Sequence, residues 1–397
     1  QTDVIRAFTT AQVAALSTLN VAALTSDQMR ALGSRSIAAL SAAQLMGMET
    51  EDVAALTSDQ ARALGVSGAA ALDSSQVIAL GSENITALSS SQLRALRSDA
   101  IAALTYDQIQ ALSSSDFASL TTAQLVNLRS DTIASLTSDK IRALGATGVA
   151  ALGTAQIQAL GSVGVTALTS AQITALGTAS LAALTSDQVQ SLATDIIASL
   201  TSLQLSKLET EDVASLTAGQ IAALGTRGVV SLTSAQLVAL GSAGISSFGS
   251  RQIASLSSSL IGSLTTQQIS SLPTQLLHAL TSSQMRGLET QDLVAMSGAQ
   301  FAALVDQAVG ALSSAQIAAL SSQQVSALTS NQIAALSTFQ IGSLSATQFE
   351  FMGPAKFASL STLQLGALNG DVIRSLGASQ MDALNADQLA VILSRLS

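Results

Sequence analysis

Glutamine stands at positions 12, 28, 44, 60 and every sixteenth position onward to Gln380, with Lys140 the one departure from the series. A primary amide carries an acceptor oxygen and two N–H donors, so such a row can satisfy orphan backbone groups or bond from one repeat to the next. Gln12, Gln28, Gln44, Gln60, Gln76, Gln92, Gln108, Gln124, Gln156, Gln172, Gln188 and Gln204 are read as a structural ladder that holds register. Lys140 can donate but not accept, which marks its repeat as a local weak point.

Catalytic chemistry finds no comparable pattern. The single histidine, His278, lies between Leu277 and Leu280, where a lone imidazole reads as a surface or packing residue. Without cysteine there is no thiol nucleophile and no Cys-ligated metal. Serine is abundant, yet no Gly-x-Ser-x-Gly elbow with a His and an acid stands out. The clusters Thr50-Glu51-Asp52 and Thr210-Glu211-Asp212 read as helix starts rather than Ca²⁺ sites, and the glycine-rich calcium-binding nonapeptide is absent. The expectation is a protein that is not an enzyme, with no catalytic residue, cofactor or metal. Phe117, Phe301, Phe349 and Phe357 occupy apolar slots and read as core, and Tyr106 reads as a solvated turn residue.

The elements carrying the amides repeat as strictly as the amides do. Every position whose number is a multiple of eight, from Phe8 to Ile392, is large and apolar, and all but Phe8, Met48, Phe248, Met296, Met352 and Ile392 are leucine. No insertion or deletion interrupts the count, so internal repetition decides the fold. Between the glutamine octads the same slot holds Asn20, Ser36, Asp52, Gly68, Asn84, Ala100 or Gly148, which gives a unit of sixteen residues built from two unlike halves.

Within an octad such as Thr57-Ser58-Asp59-Gln60-Ala61-Arg62-Ala63-Leu64, a hydroxyl followed by acidic or amide residues is a helix-start signature. Copies such as Glu49-Thr50-Glu51-Asp52 favour Thr50 and Thr210 as caps; the alternative register places the cap one residue earlier, with Thr57 and Gln60 as a capping box. Gly65, Gly81, Gly145 and Gly161 follow the leucine, where a left-handed residue would end the preceding helix. One long helix is excluded, because an eight-residue repeat turns the apolar stripe by about 80° each time. Apolar pairs spaced by three, as in Ile109 to Leu112 and Ile141 to Leu144, beside abundant Ala and Gln favour helix.

The predicted architecture is all-α: an α-solenoid of short helices over residues 1–397, one continuous array of about 25 sixteen-residue coils, two octads to each. At about 8–10 Å per coil this is an elongated rod on the order of 200–250 Å. A β-solenoid is the alternative. Small residues such as Ala63, Ala95, Ser135 and Ser199 permit close stacking. Gly65-Val66-Ser67-Gly68, Gly145-Ala146-Thr147-Gly148 and Gly225-Thr226-Arg227-Gly228 recur eighty residues apart, either by duplication or as a superhelical turn placing equivalent faces on one side.

Only 10% of residues are charged and the net charge of -9 is thinly spread, with no basic stripe for nucleic acid. Apolar runs are broken in every octad, so none reaches the roughly 20 residues of a membrane span. Arg30, Arg62, Arg94, Arg142 and Arg286 recur at one octad position and read as a solvated face.

The copies "ALTSDQIQAL", "SLTTAQLVNL", "ALTSAQITAL" and "ALSSAQIAAL" resemble the octad repeats (LTxxQIxAL) of large secreted or surface proteins of proteobacteria, some described as adhesin-like. That resemblance implies an extracellular or bacterial cell-surface scaffold. The N-terminal residues already follow the repeat, and Val391-Ile392-Leu393 is more apolar than the average octad, so the ends read as sticky and suited to head-to-tail association. The functional expectation is a structural, self-associating protein of a surface filament, adhesive fibre or biofilm matrix. The alternatives are a rigid spacer within a large adhesin and a protein- or peptide-binding solenoid.

Overall fold

A computed structural model describes residues 2–396. Forty-nine helices lie among them, one to each octad, and no strand, so the chain is an α-solenoid and the β-solenoid alternative falls. Most helices run for five or six residues, far below the roughly 12 at which an isolated helix becomes stable in water. Stacking must supply their stability.

Each helix begins at the same punctuation. In the glutamine octads the Ser or Thr that follows the leucine is an extended cap: Thr57 has φ -79° and ψ 163°, and its side chain accepts from the Gln60 amide while the Gln60 side chain accepts from the Thr57 amide. This is the capping box of the alternative register. Thr50 and Thr210 are therefore the first helical residues, with Glu49 and Glu209 at the caps. Expecting a hydroxyl cap there fails because octad position, not the nearest hydroxyl, fixes where the helix starts.

The fifth and eighth octad positions turn inward. Ile109 and Leu112, Ile157 and Leu160, Ile253 and Leu256 are all buried, as are Phe117, Phe301, Phe349 and Phe357; the rings of Phe349 and Phe357 meet edge-on at 6.2 Å. Burying such side chains contributes about 1.5–3 kcal/mol each, which is how pieces this short stay folded.

The chain forms two compact units, residues 1–200 and 201–397. In the first, Thr2–Arg6 packs on Ser26–Ala31, which packs on Thr50–Ala54 and then Ser74–Ala79; Thr10–Ala14, Ser34–Ile37, Ser58–Ala63 and Gly81–Ala87 form a second stack, and Thr18–Ala22, Ala42–Met46, Gly65–Ala71 and Ser90–Ala95 a third. In the second unit, Gly241–Ser246, Thr266–Ser270, Thr290–Ala295 and Ser314–Ala318 stack likewise. Within each unit, helices thus meet those three octads away. The coil is three octads, 24 residues, rather than the expected two, and 200 residues make about eight turns per unit. A helix of this size is only about 8 Å long; two antiparallel sides enclose no interior, whereas three sides surround both apolar rows.

Gly65, Gly81, Gly145 and Gly161 are left-handed, with φ between 61° and 69°, and the next helix starts at the glycine itself. Because 80 residues is not a whole number of 24-residue turns, Gly65–Ala71 and Gly145–Ala151 stand in different stacks of the first unit. The eighty-residue echo there does not align equivalent faces on one side.

Candidate functional site

The most specific polar arrangement is the glutamine row. Gln44 is 3% exposed. Its Oε1 accepts from the Ser41 amide at 2.7 Å, and its Nε2 crosses to the preceding turn to donate to the carbonyls of Val13 (3.1 Å) and Leu16 (2.7 Å). Gln60 repeats this with Thr57 on one side and Met29 and Leu32 on the other; Gln124 reaches Leu93 and Leu96, and Gln156 reaches Leu125 and Leu128, at 2.7–2.9 Å. One amide therefore closes the start of its own helix and caps carbonyls at the end of a helix four octads earlier. Helix ends leave such carbonyls without intrahelical partners, so both halves of the amide satisfy groups that would be costly to bury unbonded.

Gln76, Gln92, Gln108, Gln172 and Gln188 are buried and cross in the same way, from 2.7 to 3.2 Å. Gln204 is buried and accepts from the Thr201 amide at 3.0 Å. Gln12 and Gln28 accept at their own caps. The expected ladder is thus a set of stitches from side chain to backbone. Since turns are three octads and glutamine octads alternate in the first unit, Gln44 there stacks over Asn20 and Gln60 over Ser36, not glutamine over glutamine.

Lys140 takes the slot without the box. It is buried, its Nζ donates to the Gln110 carbonyl at 3.0 Å, and burial holds its amine below the ordinary lysine range. Residues outside the sixteen-residue series also stitch: Gln324 donates to Leu293 at 2.7 Å, Gln340 to Gly310 at 3.1 Å, Gln388 to Leu360 at 2.7 Å, Asn84 to Leu56 at 2.7 Å, and Lys356 to Ser326. All stand at the fourth octad position; the sixteen-residue spacing hid them, although slot position alone would have found them. Two of the carboxylates in that slot, Asp52 and Asp292, accept from the Ser26 hydroxyl at 3.3 Å and the Thr266 hydroxyl at 2.6 Å.

Elsewhere the surface is plain. His278 is exposed at the end of Thr274–Leu277, Tyr106 is exposed at a helix start, and Arg62 pairs with Asp59 at 3.0 Å on the solvent side. A hollow of about 270 Å³ lies between Tyr106 and the Arg129–Asp131 ion pair. Among the described residues no group of three or more His, Asp or Glu is placed to hold a metal ion, and no helix is long and apolar enough to cross a membrane. Phe339 and Leu363 are 84% and 77% exposed on stacked helices one turn apart.

No curated protein matches this chain. The ALTTAQ repeat, by contrast, matches it at residues 1–34, 21–58, 45–82, 78–114, 147–178, 205–242, 229–266, 285–322, 309–338 and 325–362, together well over half its length. With its octads, stitches and caps, the chain belongs to the ALTTAQ repeat family.

Proposed function

We propose that this chain is a non-enzymatic structural protein, a subunit or segment of an extracellular or cell-surface bacterial filament, adhesive fibre or matrix. The observation that carries the reading is the glutamine stitch: the same buried bond set joins turn to turn along both units, so the sequence is spent on a uniform stack. The resemblance of its octads to those of secreted surface proteins supports the location. In this reading the partner is a second copy of the chain, meeting end to end, with Phe339 and Leu363 adding side-by-side contact.

Electron microscopy of the purified chain at several concentrations tests it. The expected result is fibres many times longer than a single chain, more of them as concentration rises. Phe339→Ser with Leu363→Ser should then thin bundles to single fibres. Particles that stay monodisperse at every concentration would overturn self-assembly and favour the rigid spacer.

A further inference from the structure

Three octads carry the sequence Glu-Thr-Glu/Gln-Asp, which places Asp52, Asp212 and Asp292 at the fourth octad position. That position is buried, the three being 3%, 4% and 3% exposed. In many other octads it holds a hydrogen-bond donor aimed at the preceding turn, as at Gln44, Gln60 and Lys140. The nearest analogue in size is Asn84, whose Nδ2 donates to the carbonyl of Leu56, twenty-eight residues earlier, at 2.7 Å. A side chain with one methylene therefore reaches the carbonyl in that register. For Asp52 and Asp292 the equivalent carbonyls belong to Leu24 and Leu264.

An ionised carboxylate has no proton to offer a carbonyl, and burial next to one disfavours its charge. A protonated carboxyl has the donor that Asn84 has. We infer that Asp52 forms an acid-set latch: on protonation it donates to the carbonyl of the preceding turn, as Asn84 does, and the array tightens as the surroundings acidify.

The neighbourhood of the Asp52 carboxyl agrees. Asp52 accepts from Ser26, and its own octad adds the exposed carboxylates Glu49 and Glu51. The helix beneath, Ser26–Ala31, carries Asp27 and Arg30, which face each other at 3.8 Å; at the helix above, Ser74–Ala79, the cap is Asp73, engaged with the Gln76 amide. Burial, then the two glutamates, push the Asp52 carboxyl above its ordinary range, with the Ser26 hydroxyl opposing.

The sign follows from linkage. With its folded pKa raised, Asp52 holds a proton in the folded state through a pH window where the unfolded chain has lost it, so its stabilisation is present in acid and is lost as pH rises through the folded pKa. The test is urea unfolding of the full chain at about pH 4 and about pH 7, comparing wild type with Asp52→Asn. The expected result is a variant midpoint raised by roughly 0.2–0.5 M at about pH 7, the advantage shrinking as pH falls toward about 4. The reciprocal Asn84→Asp should lose stability at about pH 7 and regain it in acid. Either variant showing the same difference from wild type at both pH values, or an Asn variant weaker at about pH 7, would overturn the latch.

Discussion

Lysine at position 140 shows what one side chain in the stitching slot does. It keeps a bond to the Gln110 carbonyl but leaves the Thr137 amide without the acceptor a glutamine supplies, and it buries an ammonium. Lys140→Gln restores both halves, and we expect it to stabilise the array by about 1–2 kcal/mol near neutral pH, read by thermal or urea unfolding. The pH profile gives a second check. Because the folded amine titrates below its ordinary value of 10.5, wild-type stability should rise as pH climbs through the folded pKa toward that value, and this rise should be missing from the variant.

At the level of the helix, glycine does two separable things. Gly225 is left-handed, with φ 60°, and starts a helix directly after the leucine; Gly228 sits where an added Cβ would stand 2.8 Å from the Leu224 Cβ. Gly228→Ala should destabilise by about 1–3 kcal/mol through overpacking, whereas Gly177→Ala, at an extended cap with open space around it, should be close to neutral. Denaturant midpoints of the two variants separate these effects. The helices themselves were legible: spacing by three put Ile141 and Leu144 inward, and Thr57 with Gln60 offered the capping box as the second of two registers. The number of sides was not. Every octad turns the same positions inward, so slot chemistry is silent on the angle between successive helices, and the sixteen-residue rhythm of Gln and Asn or Gly describes composition rather than a turn. The destinations of the Gln44 and Gln60 amides were hidden for the same reason, since Val13 and Met29 lie four octads back, a distance meaningful only once the turn is known.

For the chain as a whole, equivalence of octads means that its length is adjustable in steps of eight. Removing residues 97–104, an octad without a slot glutamine, should shorten the stack by a third of a turn and leave cooperative melting within a few degrees of wild type. Removing only 97–100 moves every later leucine to the outside and should abolish it. Circular dichroism melts of the two deletions make the comparison, and similar melts would contradict the octad as the unit of stacking.

The mismatch between a chemical period of sixteen and a geometric period of twenty-four makes the first unit behave as a vernier. Its glutamine slots face unlike slots one turn away, Gln44 over Asn20, Gln76 over Asp52, Gln108 over Asn84. A neighbouring copy that invaded the stack one turn out of step would bring amide against amide, and only a slip of two whole turns would let both scales coincide again. Repeat arrays are prone to such exchange because every piece fits every other. Here two rulers with different graduations let an otherwise monotonous chain tell one turn from the next.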